Sequence, residues 1–235
     1  MSVNKILFWV TLYAVAMGFL ESSVVIYLRE LIYPHGFSFP LVPLHRELAA
    51  VELWREAGTI IMLIAVGILA GRNRSEKFAW FLYSFAVWDI FYYVFLYVFL
   101  AWPQSLFTWD ILFLIPVPWV GPVIAPCIVA ATMILFALTT VYRSARGRAA
   151  GLKRAERLAL LAGALVCIGA FIEDYVVQNK SVLYNKLNHG GAFLSEMAHY
   201  VPQHFDWITF SIGEALLLLA YGLYTRRLMP QCDRM

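Results

Sequence analysis

Polar and apolar residues fall along this chain in blocks: six long hydrocarbon runs, bounded alternately by basic clusters and by stretches rich in acids, histidine, tryptophan and proline. A helix rises about 1.5 Å per residue and must cover about 30 Å to cross a bilayer core, so about 20 residues suffice. The runs predict spans over Ile6–Leu28, His45–Ala70, Phe78–Leu100, Ile111–Tyr142, Leu158–Gln178 and Trp207–Tyr224. The expected fold is all-α, a polytopic membrane bundle of six transmembrane helices in one domain. The first run resembles a signal peptide, but Gly18–Ser23 is a weak cleavage site and the run continues past it, so it reads as a first span.

Several runs are too short unless a carboxylate enters the membrane. From Ala57 to Ala70 the purely apolar stretch gives only about 21 Å of helix. On its far side stand Arg72 and Arg74, so the helix must extend backwards and take in Glu52, Arg55 and Glu56. The first run needs Glu21 in the same way, the fifth ends at Glu173 and Asp174, and Asp89 and Glu214 lie within the third and sixth. The fourth is longer than one crossing needs and is proline-broken, carrying Pro116, Pro118, Pro122 and Pro126. The last three recur every four residues, which on a helix would strip three amide donors from one face. A broken start followed by a regular helix from about Val123 is expected, with the freed carbonyls lining a cavity or the helix simply kinked against its neighbours.

Composition agrees with this pattern: 62% of the 235 residues are hydrophobic and 14% charged, with a mean hydropathy of +0.71, too apolar for an ordinary soluble domain. The formal charge of +3 does not imply nucleic acid, because the basic residues are distributed as a topology signal. Thirteen of the 18 Lys and Arg fall on the side of the termini, which predicts a cell-membrane protein with both termini cytoplasmic. Acids sort the opposite way, 12 of 15 lying in the spans or toward the outside, as do all five histidines. Cys127, Cys167 and Cys232 are far apart and suggest neither a disulfide framework nor a thiolate metal motif.

Seven acids fall within helical spans against one clear cation, Arg55, and an unpaired charge at a helix centre costs about 2.5–3.5 kcal/mol even on lenient scales. Pairing cannot settle seven, so protons, a bound cation or a wet cavity would, unless Glu52, Glu56, Glu173 and Asp174 are solvated helix ends at headgroup level and Asp89 and Glu214 are protonated acids bonded across helices. The candidate acid-base residues are Glu21, Glu52, Arg55, Glu56, Asp89 and Glu214, with Tyr92 and Tyr93 as possible donors to Asp89. His45, Glu52 and Glu56 form one stripe at helical spacing. Glu196 and His199 have the Glu-x-x-His spacing that puts two ligands on one face, and His204 follows. Glu56, Glu173, Asp174, His45, His199 and His204 are therefore candidate ligands for a divalent metal, with Fe, Mn, Zn or Cu compatible with carboxylate and imidazole. No Gly-x-Ser-x-Gly elbow, His-Glu-x-x-His pair or phosphate-cradling glycine loop is present. The resulting expectation is a membrane-embedded enzyme acting on a lipid-like small molecule that enters from the bilayer. The alternatives are a proton- or cation-coupled transporter, or an accessory subunit whose acids meet a partner's cations.

Overall fold

The hydrocarbon runs become helices that mostly overrun them. The computed structural model describes residues 2–33, 36–40, 42, 46–115, 117–147, 151–179 and 200–228. The helices are α1 (Val3–Ile32), α2 (Arg46–Ala70), α3 (Arg74–Leu100), α4 (Ile124–Ala145), α5 (Arg154–Gln178) and α6 (Trp207–Leu228). All six are long and apolar enough to cross a membrane, so the chain is a multi-pass membrane protein. As the shortfall predicts, α2 runs unbroken back through Glu56, Arg55 and Glu52. Local chemistry sets the ends. Asn73 caps α3 by accepting from the Glu76 amide at 3.0 Å, and Ala101 closes that helix in the left-handed region at φ 51°. Asp206 opens α6 by accepting from the amides of Ile208 and Thr209 at 2.9 and 3.0 Å. These bonds favour the charged carboxylate and hold its pKa below the usual value, the Thr209 hydroxyl contributing most.

Helix α3 is the hub, with α1, α2 and α4 packed on it. Helix α1 runs parallel to α3, as Thr11 meets Tyr83 near one end (2.8 Å) and Phe19 meets Phe95 further along (5.3 Å between ring centres). Helices α2 and α4 run antiparallel to it, Leu63 reaching Trp88 and Val123 reaching Tyr93 and Leu96. Helix α5 pairs with α6 far more extensively than α6 meets α4. Their backbones close on Gly163 and Gly213, where a Cβ on Gly213 would stand 2.6 Å from Cys167 Sγ and one on Gly163 2.9 Å from the Gly213 carbonyl. Only hydrogen fits there, the small-residue contact that lets helices approach in lipid, where apolar burial gives little drive. The outward surface is apolar, as a bilayer requires: Trp54 is 79% and Leu69 85% exposed.

The fourth segment departs from the expected single span of 111–142. Its first part is an antiparallel hairpin, β1 (Trp109–Phe113) and β2 (Trp119–Pro122), in which Asp110 faces Gly121 and Ile111 faces Val120. The regular helix begins at Ile124, near where it is expected. Pro118 and Pro122 therefore lie outside any helix, and Pro126 sits in the first turn of α4, where a missing amide donor costs nothing. Three prolines do not share a helical face. The hairpin is driven deep: Phe113 packs beside Met17, Leu63 and Trp88, from the middle parts of three helices. Non-helical backbone survives at such depth only when protein satisfies it. The strands pair with each other, and the amide of Leu114, just past β1, is taken by Glu56.

Candidate functional site

Two helices that hardly touch each other are joined by one guanidinium. Arg55 on α2 pairs with Glu52 one turn back (Nη2 to Oε2 2.7 Å, Nε to Oε2 2.8 Å) and with Glu21 on α1. Thr59, a turn further on, also donates to Glu21 at 3.3 Å. The one clear cation of the spans is thus spent on two carboxylates. Glu56, 8% exposed, takes the Leu114 amide with both oxygens at 3.1 and 3.0 Å, so it ties α2 to the re-entrant hairpin. Asp89 on α3 has no hydrogen bond or ion pair among the described residues; Tyr92 and Tyr93, its expected donors, make none to it.

These groups surround two adjoining cavities. The outer, of about 160 Å³, lies between α1, α2, α3 and β1, with apolar walls from Val25, Leu28, Ile32, Phe37 and Leu114 and a polar side from Arg29, Glu52, Arg55, Glu56 and Asp110. The inner, of about 60 Å³, is bounded by Glu21, Arg55, Glu56, Thr59, Asp89, Tyr92 and Tyr93. Arg55, Glu56, Tyr92, Val25 and Ile111 border both. The smaller exceeds the roughly 30 Å³ a water occupies in the liquid.

Arg29 and Asp110 complete the arrangement, and neither was among the candidates read from the sequence. The Arg29 guanidinium lies over the rings of Trp102 (3.9 Å) and Phe37 (4.4 Å) and reaches Asp110 at 3.5 Å, so aromatic faces and a carboxylate hold it together. Burial pushes the Asp110 carboxyl up to about 6, and Arg29, the Ile111 amide and the nearby Tyr93 and Tyr92 hydroxyls oppose that rise. Two arginines thus face five carboxylates. Among the described residues, three buried polar atoms here make no hydrogen bond of normal geometry: Trp88 Nε1, Tyr93 Oη and Asp110 Oδ2. The sequence signal for Asp110 is the alternation of Trp109-Asp110-Ile111-Leu112-Phe113, a strand pattern obscured by the longer apolar run. Arg29, at a helix end, carries no such signal.

Other candidates stand elsewhere. Glu214 borders neither cavity; it accepts from Thr132 across the α4–α6 contact. Asp174 accepts from the Tyr200 hydroxyl (2.7 Å) and from the amides of Gln203 (3.3 Å) and His204 (3.2 Å), anchoring the segment that leads into α6. Burial first, then that carboxylate, raises the Tyr200 phenol well above its ordinary pKa, so it stays a donor. Glu173 is exposed. His45, Glu196 and His199 lie outside the described residues. Among the described residues, no three His, Cys, Asp or Glu side chains are grouped so that they could hold a metal ion. The structure thus brings Glu21, Glu52, Arg55, Glu56 and Asp89 together around the two cavities and places Glu214, Glu173, Asp174 and His204 away from them.

Three comparisons give no relative: the chain matches no protein-family model, no curated protein and no solved structure.

Proposed function

We propose that the chain is a membrane-embedded enzyme that admits a lipid-like small molecule between α1 and α2 and performs acid-base chemistry on its polar end. One observation carries this: five carboxylates from α1, α2, α3 and β1 surround adjoining cavities with only two guanidiniums between them. Such an excess is costly in a low-dielectric interior, and it suits a site that handles protons or binds a donor-rich group. Asp89 is the candidate proton carrier, because it alone of the five is not engaged by another protein group. Glu56 borders both cavities and holds the hairpin; Arg55 positions Glu21 and Glu52. The apolar outer cavity and the orphaned donor Trp88 Nε1 would receive, respectively, a hydrocarbon part and an oxygen-bearing part of the substrate. A divalent metal would add Lewis acidity if these carboxylates closed around it.

The site is one-sided. At the other end of the bundle Glu76 is held by Arg72 (2.9 Å) and Ser144, and Glu156 by Arg227 (2.6 Å), leaving no second half of a carboxylate path among the described residues. The test is purified protein in vesicles of a total lipid extract, followed by untargeted mass spectrometry of the lipids and elemental analysis for Fe, Mn, Zn and Cu. Wild type should convert at least one species that Asp89→Asn and Glu56→Gln leave untouched. Absence of any conversion, with proton or cation flux that the same substitutions abolish, would replace the enzyme by a transporter.

A further inference from the structure

At the opposite end of the bundle, α3, α4 and α6 and the start of α5 enclose a third cavity, of about 260 Å³, on which the acid-base site makes no claim. Arg74 on the first turn of α3 and Arg157 on the first turn of α5 border it, with Ser75, Phe78, Phe136 and Tyr224. Neither arginine is in an ion pair among the described residues, and the reason lies next to them. The adjacent acids, Glu76 and Glu156, are already taken by Arg72 and Arg227, so among the described residues no acid pairs with these two exposed arginines at the cavity rim. A second, independent sign is Tyr224: it is 1% exposed and its hydroxyl has no hydrogen-bond partner among the described residues. A buried hydroxyl left so is costly, and an acceptor in the cavity would recover that cost. The first amides of α3 add a weak positive pole from the same direction.

We infer that this cavity binds a phosphate group, with Arg74 and Arg157 supplying charge and Ser75 and Tyr224 hydroxyl donors. Its place at helix termini is the depth of lipid headgroups, and Phe78 and Phe136 supply an apolar flank for an acyl chain. An anionic phospholipid fits both halves, while a free phosphate would use the polar half alone. The volume is several times the roughly 30 Å³ of a water, enough for a phosphate with an ester arm.

The experiment measures the thermal midpoint and native mass spectrum of the full chain in neutral detergent. Added ligands are phosphatidylglycerol, phosphatidylcholine or inorganic phosphate, and the variants are Arg74→Gln/Arg157→Gln and Tyr224→Phe. Phosphatidylglycerol should raise the midpoint and remain bound more than phosphatidylcholine does, with affinity at least tenfold weaker in the double variant and measurably weaker in Tyr224→Phe. A response to inorganic phosphate as strong as that to phosphatidylglycerol, lost in the same variants, would keep the site and assign it to the soluble anion. No preference for either anion, or a preference untouched by both variants, overturns the inference. Tyr224→Phe removes one oxygen from a packed ring, so it tests the site even where the double variant fails to fold.

Discussion

At the scale of single residues, Arg55 is the most consequential side chain in the acidic cluster. Removing one partner of a buried ion pair strands the other, at about 3–5 kcal/mol for full burial. Arg55 keeps 22% of its side chain exposed, so Arg55→Met should cost less, about 2–3 kcal/mol, read as a lowered unfolding midpoint in detergent. Adding Glu21→Gln and Glu52→Gln should recover much of it. Asp110 has a pH signature. Its folded pKa of about 6 lies above the ordinary carboxylate value, so the folded state holds the proton more tightly. Its contribution to stability is therefore full below about pH 4, declines as pH rises toward 6 and is level above. The stability difference between wild type and Asp110→Asn, measured by thermal melts across that range, should fall with rising pH; a flat difference would contradict the burial of this group. Glu21, Glu52, Glu56 and Asp89 were legible from sequence, because the shortage of hydrocarbon in their runs, or for Asp89 its place within one, draws them into the bundle. Asp110 was not, since a residue just outside a run looks the same whether it faces water or is folded into the bundle.

Elements tell a similar story about what a one-dimensional pattern conveys. Six helices were readable from run length alone, and the backward extension of α2 through Glu56 from the shortage of hydrocarbon. The hairpin was not: its nine strand residues belong to a stretch as apolar as any span, and the period-two alternation is too short to stand out. Proline spacing was a real signal of broken helix, but the break is β structure secured by a carboxylate on another element. The pairing of α5 with α6 is the element contact most exposed to a single change. At Gly213 the nearest atoms belong to the Cys167 backbone as well as its side chain, so a larger group cannot be accommodated by rotamer change. Gly213→Leu should force the two helices apart and cost at least about 2 kcal/mol, within or above the usual range for overpacking. Exposed Leu219→Ala on the same helix should change the midpoint little.

For the molecule as a whole, the distribution of basic residues implies an orientation that labelling decides. With the native cysteines replaced by Ala, Ser105→Cys in the α3–β1 connection should react with a membrane-impermeant maleimide on intact cells. Arg146→Cys, at the end of α4, should react only after permeabilisation. The reverse pattern would turn the acid-lined cavities toward the cytoplasm. Both ends of the bundle then have distinct characters: one gathers unneutralised acids around a re-entrant hairpin, the other pairs Glu76 and Glu156 with arginines and leaves Arg74 and Arg157 at a cavity. The hairpin also gives the chain an order in time. Every described residue bordering the two acidic cavities falls within the stretch from Glu21 to Leu114. A ribosome has therefore polymerised all of these residues before it begins α5, and the final helical pair arrives late, with Phe171 and Phe205 closing over Gly121 to brace a chamber whose described walls have already been synthesised.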